Sequence, residues 1–306
     1  MADRYTYVPL IGIFIIIAWG GSDLVAGWRY RKEGLAVASA ILLSILIVVT
    51  WFQVGHWTNG ITLFKRAINV TENNSVAHYN LGVAFAKQGR TVEVIDHYTK
   101  ALRINPDYAD AHYNLGRALV KQGRVDEAIG HYSEALRINP NDVETHNNMG
   151  NALIEQKRTA EAIDHYTEAL RINPDYAAAH YNLGATFAEQ SRIAEAIDHY
   201  TKALKINPDY AAAHYNLGNL YYKKRELDKA IYQYQKSLSI QPDAVQVLNN
   251  LSIAYMTKRE YEKAVSVFSR MADLQPDNAG IYYNIACMYS LQNQVEKSID
   301  FLKIAI

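Results

Sequence analysis

The sequence predicts an all-α chain: an α-solenoid of helix-turn-helix repeats, preceded by a two-helix transmembrane hairpin. Three observations carry this. Six of the seven prolines, Pro106, Pro140, Pro174, Pro208, Pro242 and Pro276, fall 34 residues apart. A fixed period of that length marks a repeat array, in which each unit is stabilised by stacking on its neighbours. Two apolar segments, 8–28 and 35–55, stand ahead of the array. Lys+Arg and Asp+Glu both number 31, and 49% of residues are apolar. The charge balance argues against a nucleic-acid partner, and the apolar content against a disordered chain.

The first 57 residues differ in composition from the rest. Residues 35–55 carry no charge over 21 positions, a helix long enough to span a bilayer core of roughly 30 Å. Residues 8–28 form the second candidate span. It contains Asp23, which needs a protein partner, a polar cavity or a place near the helix end. A cleaved signal peptide fits poorly, because only Arg4 precedes the apolar run and no small-residue cleavage site follows. The basic stretch Arg29 to Glu33 between the spans is expected to face the cytoplasm, which puts the array outside it. Trp51, His56 and Trp57 suit the interface where the second span leaves the lipid.

Aligned on the prolines, the repeats are 75–108, 109–142, 143–176, 177–210, 211–244 and 245–278, with a seventh over 279–306. Each holds two apolar helical periods, a break at Gly89, Gly123 and their equivalents, and a second break at Asn-Pro-Asp. Proline cannot continue a helix and pushes the residue before it out of the α region. In the second repeat the recurring positions are Leu115, Gly116, Leu119, Ala128, Tyr132, Ala135 and Pro140. That pattern resembles the tetratricopeptide repeat (TPR). The resemblance implies a right-handed superhelix with a concave groove lined by the first helix of each repeat. It also implies that Gly116 and Ala128 permit close helix approach, with Tyr132 and Leu136 filling the space between repeats. Residues 58–74 read as a partial repeat, with Phe64 and Ala67 where a second helix places its aromatic and alanine. The second span would then replace the missing first helix, a rigid join with no Gly/Ser/Pro-rich linker.

The groove offers a candidate site. Asn80, Asn114, Asn148, Asn182, Asn216, Asn250 and Asn284 occupy one position in all seven repeats. A carboxamide matches the C=O and N–H of a peptide group, so a row of them can hold an extended peptide by its backbone. The TPR superhelix of intracellular O-GlcNAc transferases carries a similar ladder and uses it that way; the bland alternative is that Asn is simply common there in TPRs. Near-identity of 162–184 and 196–218 makes the seven less than independent. Beside the ladder stand Tyr79, Tyr113, Tyr181, Tyr215 and Tyr283, with Asn147 and Asn249 breaking the series. They read either as recognition side chains or as packing between repeats. TPRs that clamp acidic C-termini need Lys at this place, so that mode is not expected.

Nine of ten histidines are locked to the repeat: His78, His112, His146, His180 and His214 in first helices, and His97, His131, His165 and His199 in second helices. None pairs at i, i+4 as a local metal site would. Packing or solvated positions are expected, with a pH-sensitive array as the alternative. Cys287 is the single cysteine and excludes an intrachain disulfide. Three glycosylation sequons begin at Asn69, Asn73 and Asn250 and matter only in a eukaryotic secretory lumen. No nucleophile elbow, P-loop, zinc-protease or dinucleotide fingerprint occurs, so the array is expected to be non-catalytic, with no cofactor and no metal.

Residues 2–12, Trp57 to Phe64 and Val70 to Asn74 resemble the last membrane segments of bacterial polytopic proteins similar to GT-C glycosyltransferases and to O-mannosyltransferases bearing C-terminal TPRs. That implies a bacterial inner-membrane location and a catalytic membrane domain ahead of this chain. The seventh repeat stops at Ile306 before its proline turn, which also leads us to expect a longer parent protein. The expected function is a membrane-anchored TPR scaffold for a protein or extended peptide. A substrate-recruiting module of an O-glycosyltransferase and a stand-alone scaffold are the alternatives.

Overall fold

The computed structural model describes residues 59–306 continuously, together with ten isolated helical positions between Gly34 and Trp51. The expected span 8–28 lies outside the described residues, as does most of 35–55. Among the described residues no helix is long and apolar enough to cross a membrane. The described part falls into two compact units, Met1–Glu93 and Val94–Ile306.

Fifteen helices run through residues 59–306, and no strand occurs among the described residues. In the first unit, α1 (Gly60–Val70) packs on α2 (Ser75–Lys87). Asn59 caps α1 by accepting from the Thr62 N–H at 2.9 Å, and Asn74 caps α2 by accepting from Ala77 at 2.8 Å. Phe64 and Ala67 are half-buried. The expected join to the preceding span lies outside the described residues.

The second unit opens with α3 (Thr91–Ile104), whose first residues belong to the unit before. It continues with α4 (Ala109–Lys121), α5 (Val125–Ile138), α6 (Val143–Glu155), α7 (Thr159–Ile172), α8 (Ala177–Glu189) and α9 (Ile193–Ile206). Then follow α10 (Ala211–Lys223), α11 (Leu227–Ile240), α12 (Val245–Thr257), α13 (Tyr261–Leu274), α14 (Ala279–Leu291) and α15 (Val295–Ala305). Even-numbered helices open repeats and odd-numbered ones close them. From α5 to α13 each second helix packs on the first helix of its own repeat and on that of the next.

The core of each hairpin is a ring over a glycine. Tyr132, Tyr166, Tyr200 and Tyr234 are buried against Gly116, Gly150, Gly184 and Gly218 of the same repeat. A Cβ on Gly150 would lie 2.5 Å from the Tyr166 ring, a distance real side chains do not tolerate. The tyrosine therefore packs inside its own hairpin, and Tyr200 and Tyr234 also reach Asn216 and Asn250 of the next repeat, where the sequence places it. The sixth repeat makes a compensated exchange: Ser252 replaces the glycine and Phe268 the tyrosine.

Turn chemistry sets the hairpin angle. Seven equivalent residues adopt a left-handed backbone: Gly89, Gly123, Lys157, Ser191, Arg225, Arg259 and Asn293. They end the first helices with paired bonds such as Gly123 N–H to Val120 O at 2.9 Å and Arg124 N–H to Leu119 O at 3.0 Å. Five of the seven are not glycine, so the array carries strain there. At the other end, the asparagine of Asn-Pro-Asp accepts from the Asp N–H two residues on, as Asn173 does from Asp175 at 3.1 Å. Exposed pairs such as Arg158–Glu161 and Lys263–Glu260 are screened by solvent and add little to stability.

Two substitutions separate these terms in chemical denaturation. Gly150→Ala should destabilise by about 1–3 kcal/mol through overpacking. Ser191→Gly should stabilise by about 1 kcal/mol by relieving the left-handed backbone. A neutral Gly150→Ala would mean that the ring does not bear on that backbone.

Candidate peptide-binding face

The ladder asparagines are all half-buried on the first helices, and the structure shows what their amides do. The Asn148 Nδ2 donates to the Tyr113 hydroxyl at 3.0 Å, Asn216 to Tyr181 at 3.2 Å and Asn250 to Tyr215 at 3.2 Å. Each partner lies 35 residues earlier, on the first helix of the preceding repeat. Where Asn147 replaces the tyrosine, its Oδ1 accepts from Asn182 at 2.9 Å. From Asn148 to Asn250 the ladder is thus a set of clips between repeats. The amides of Asn80 and Asn114 donate to the Val76 and Asp110 carbonyls of their own helices, both at 2.9 Å. Asn284 is half-buried, and beside it Tyr283 is 55% exposed.

The tyrosines between clips have two duties. Tyr113 accepts from Asn148 and donates to Glu144 at 3.0 Å, and Arg117 stacks over its ring at 5.5 Å. Burial, then the Glu144 bond, pushes the Tyr113 phenol well above its ordinary range. Tyr181 and Tyr215 lie at 5.7 and 6.2 Å, ring to ring, from the buried Tyr200 and Tyr234. Tyr181 also stacks on Tyr210 at 4.7 Å. Tyr79 is half-buried in the first unit. Burial holds the hairpin tyrosines protonated as well, with Tyr132 pushed up to about 12.

A cleft of about 530 Å³ opens over α8, α10 and α12. Ala185, Ala188, Leu220 and Ile253 give it an apolar lining; Asn216, Asn219 and Asn250 give it carboxamides. Tyr222 and the ends of Glu189 and Lys223 also line it. Asn219 is a site residue that the ladder reasoning missed. Its Oδ1 accepts from Tyr234 at 2.8 Å and from Asn250 at 2.9 Å. The equivalent Asn151 accepts from Tyr166 at 2.7 Å. Both asparagines lie one turn beyond a ladder position and recur at a spacing of two repeats. The structure therefore gathers Asn216 and Asn250 of the predicted ladder into one cleft, while Asn114, Asn148, Asn182 and Asn284 do not line it.

The histidines also meet partners that helical spacing does not suggest. His112, His146 and His180 each face a second-helix histidine 19 residues on, Nδ1 to Nδ1 at 3.0 Å. Among the described residues no group of three or more His, Cys, Asp or Glu could hold a metal. Cys287 is half-buried in α14.

Paired helices stacked at a fixed repeat, with a lined face and no catalytic cluster in view, define a helical-repeat interaction scaffold. Sequence profiles of the TPR repeat match 116–157, 150–191 and 186–225, and profiles of the tetratricopeptide repeat match 75–108, 97–130, 211–244 and 245–278. The chain belongs to the tetratricopeptide-repeat family. Most of it is repeat.

Among curated proteins, Protein O-mannosyl-transferase TMTC1 and TMTC4 of Mus musculus are each 32% identical over 101 residues, 32% of this chain. The chain covers only 10% and 13% of their lengths. Among solved structures, Pseudomonas aeruginosa PilF superposes with a TM-score of 0.60 at 25% identity, over 66% of this chain and 92% of that one. YrrB, described as a TPR protein with an unusual peptide-binding site, has the same fold, with a TM-score of 0.51 at 24% identity over 61% and 96% of the two chains.

The clip geometry makes a directional prediction. Asn250→Asp sets a carboxylate against the Asn219 oxygen and should cost about 1–3 kcal/mol. Asn219→Asp keeps an acceptor for both donors and should cost less. Urea titrations of the two variants check this, and equal losses would count against the donor assignment.

Proposed function

We propose that the chain captures an extended protein segment on its first-helix face and holds it near a membrane. The observation that carries this is the cleft over α8, α10 and α12, where apolar floor and carboxamides lie side by side. An extended peptide needs both: hydrogen-bonding partners for its backbone and an apolar surface for a side chain. The amides of Asn216 and Asn250 are used in clips and their oxygens can accept from peptide N–H groups, while Asn219, whose oxygen already takes two bonds, can donate to a peptide carbonyl. The membrane half of the proposal rests on residues 8–28 and 35–55, with the array outside the cytoplasm.

The fuller reading is that the chain is the C-terminal, substrate-recruiting part of a membrane glycosyltransferase-like protein. It is supported by the identity with O-mannosyl-transferases over 101 residues and by the N-terminal segment that resembles such proteins. A stand-alone membrane scaffold is the second reading. A genomic reading frame that begins far upstream of Met1 favours the first. An in-frame stop just before Met1 sinks it.

Peptide capture is tested with the full chain and a panel of fluorescent, unstructured peptides. Ala188→Trp fills the cleft without touching an inter-repeat clip and should weaken capture about tenfold or more, with an unchanged melt. Undiminished capture would overturn the assignment of the cleft.

A further inference from the structure

The three histidine pairs of the second, third and fourth repeats share one geometry. Nε2 of His112, His146 and His180 lies 2.9, 3.1 and 3.2 Å from the carbonyl oxygens of Pro106, Pro140 and Pro174. A carbonyl only accepts, so Nε2 carries the proton. In a neutral ring Nδ1 is then a lone pair. That lone pair faces Nδ1 of His131, His165 or His199 at 3.0 Å, so the second ring carries its proton on Nδ1. Two neutral imidazoles thus satisfy each other in one tautomeric arrangement.

Added protons have limited room. One can enter at Nε2 of the second ring, whose Nδ1–H still donates to the first. A second cannot, because two N–H groups and two positive charges would meet at 3.0 Å. In the unfolded chain both imidazoles protonate near the ordinary value of about 6.5.

The surrounding charges do not relieve this. Arg124, Glu127 and Glu134 act on the first pair, Arg158, Glu161, Asp164 and Glu168 on the second, and Asp175, Glu195, Asp198 and Lys202 on the third. Lys205 lines the same cleft as His180. Most of these carboxylates are already bound to a cation: Glu127 to Arg124, Glu134 to Arg137, Glu161 to Arg158, Glu168 to Arg171, Glu195 to Arg192 and Asp198 to Lys202. Burial first, and the neighbouring imidazole second, hold His131, His165 and His199 below the usual histidine range.

The fifth repeat shows the contrast. His214 bonds the Pro208 carbonyl at 3.0 Å in the same way, but Gln233 takes the place of the second imidazole, 2.6 Å from Nδ1. A carboxamide offers N–H to the neutral ring and oxygen to the charged one, so it accommodates both states. In the sixth and seventh repeats the two positions hold Leu248 with Val267 and Tyr282 with Phe301.

We propose that the His112–His131, His146–His165 and His180–His199 pairs form an acid-sensitive element that loosens the second to fourth repeats as pH falls, while the fifth to seventh stay closed. The sign follows from proton counts: below about pH 6.5 the unfolded chain binds more protons than the folded pairs, so stability is present above that value and is lost as pH falls. Each excluded proton shifts the opening equilibrium about tenfold per pH unit. Because repeats bind only their neighbours, the opening is local.

Hydrogen exchange of the full chain at about pH 7.5 and about pH 5, corrected for intrinsic rates, tests this. Residues 109–210 should lose protection by tenfold or more at the lower pH, and residues 211–306 should not. The triple variant His131→Gln, His165→Gln, His199→Gln copies the arrangement at Gln233 and should abolish the loss. Equal acid loss in wild type and variant, or loss centred on 245–306, would overturn the proposal. Should the variant not fold, an NMR titration of the wild-type imidazoles decides. One proton per pair supports the proposal, and independent uptake of two near pH 6.5 overturns it.

Discussion

Everything in the array depends on how closely two helices of a repeat can approach. Gly116, Gly150, Gly184 and Gly218 have no Cβ, and the rings of Tyr132, Tyr166, Tyr200 and Tyr234 occupy the space this leaves. That contact fixes the hairpin. The hairpin fixes which residues of the first helix face the next repeat, and the clips of the asparagine ladder follow. A Cβ at any of these glycines would move the ring, and with it the wall against which the next hairpin stacks.

One set of residues therefore both joins the repeats and lines the cleft proposed for capture. The Asn250 amide holds Tyr215 of the repeat before it and Asn219 beside it, yet Asn250 and Asn219 also line the cleft. Such a surface is preorganised, since the carboxamides are fixed by their neighbours before any ligand arrives. Little side-chain entropy remains to be lost on binding. It also means that removing a ladder asparagine perturbs stacking and capture together, whereas cleft-floor residues such as Ala188 report on capture alone.

Much of this was legible in the sequence. Proline spacing marks the repeat boundaries, and Gly116 with Ala128 marks the close helix approach, but that the tyrosine ring covers the glycine is visible only in the structure. The ladder was found as a column of asparagines, but its bonding was not, because a 35-residue separation depends on how repeats stack. The histidine pairs were missed for a related reason. A 19-residue separation crosses the turn and obeys no helical period, so a search for i, i+4 neighbours passes over it. A signal was available: the two columns change together, from His with His, to His214 with Gln233, to Leu248 with Val267, to Tyr282 with Phe301. Asn219 was hidden because its column also holds Arg117, Ala185 and Ile253.

The central claim is that the first-helix face captures an extended segment. Site-specific photo-crosslinking tests it most directly, with a photoreactive side chain placed at Tyr222 in one protein and at Lys205 in another. Tyr222 lies in the cleft over α8, α10 and α12, and Lys205 lies in a separate depression beside His180. The account predicts peptide adducts from position 222 and none from position 205. Adducts from 205 alone would contradict it and move the binding surface to the other side of the hairpins.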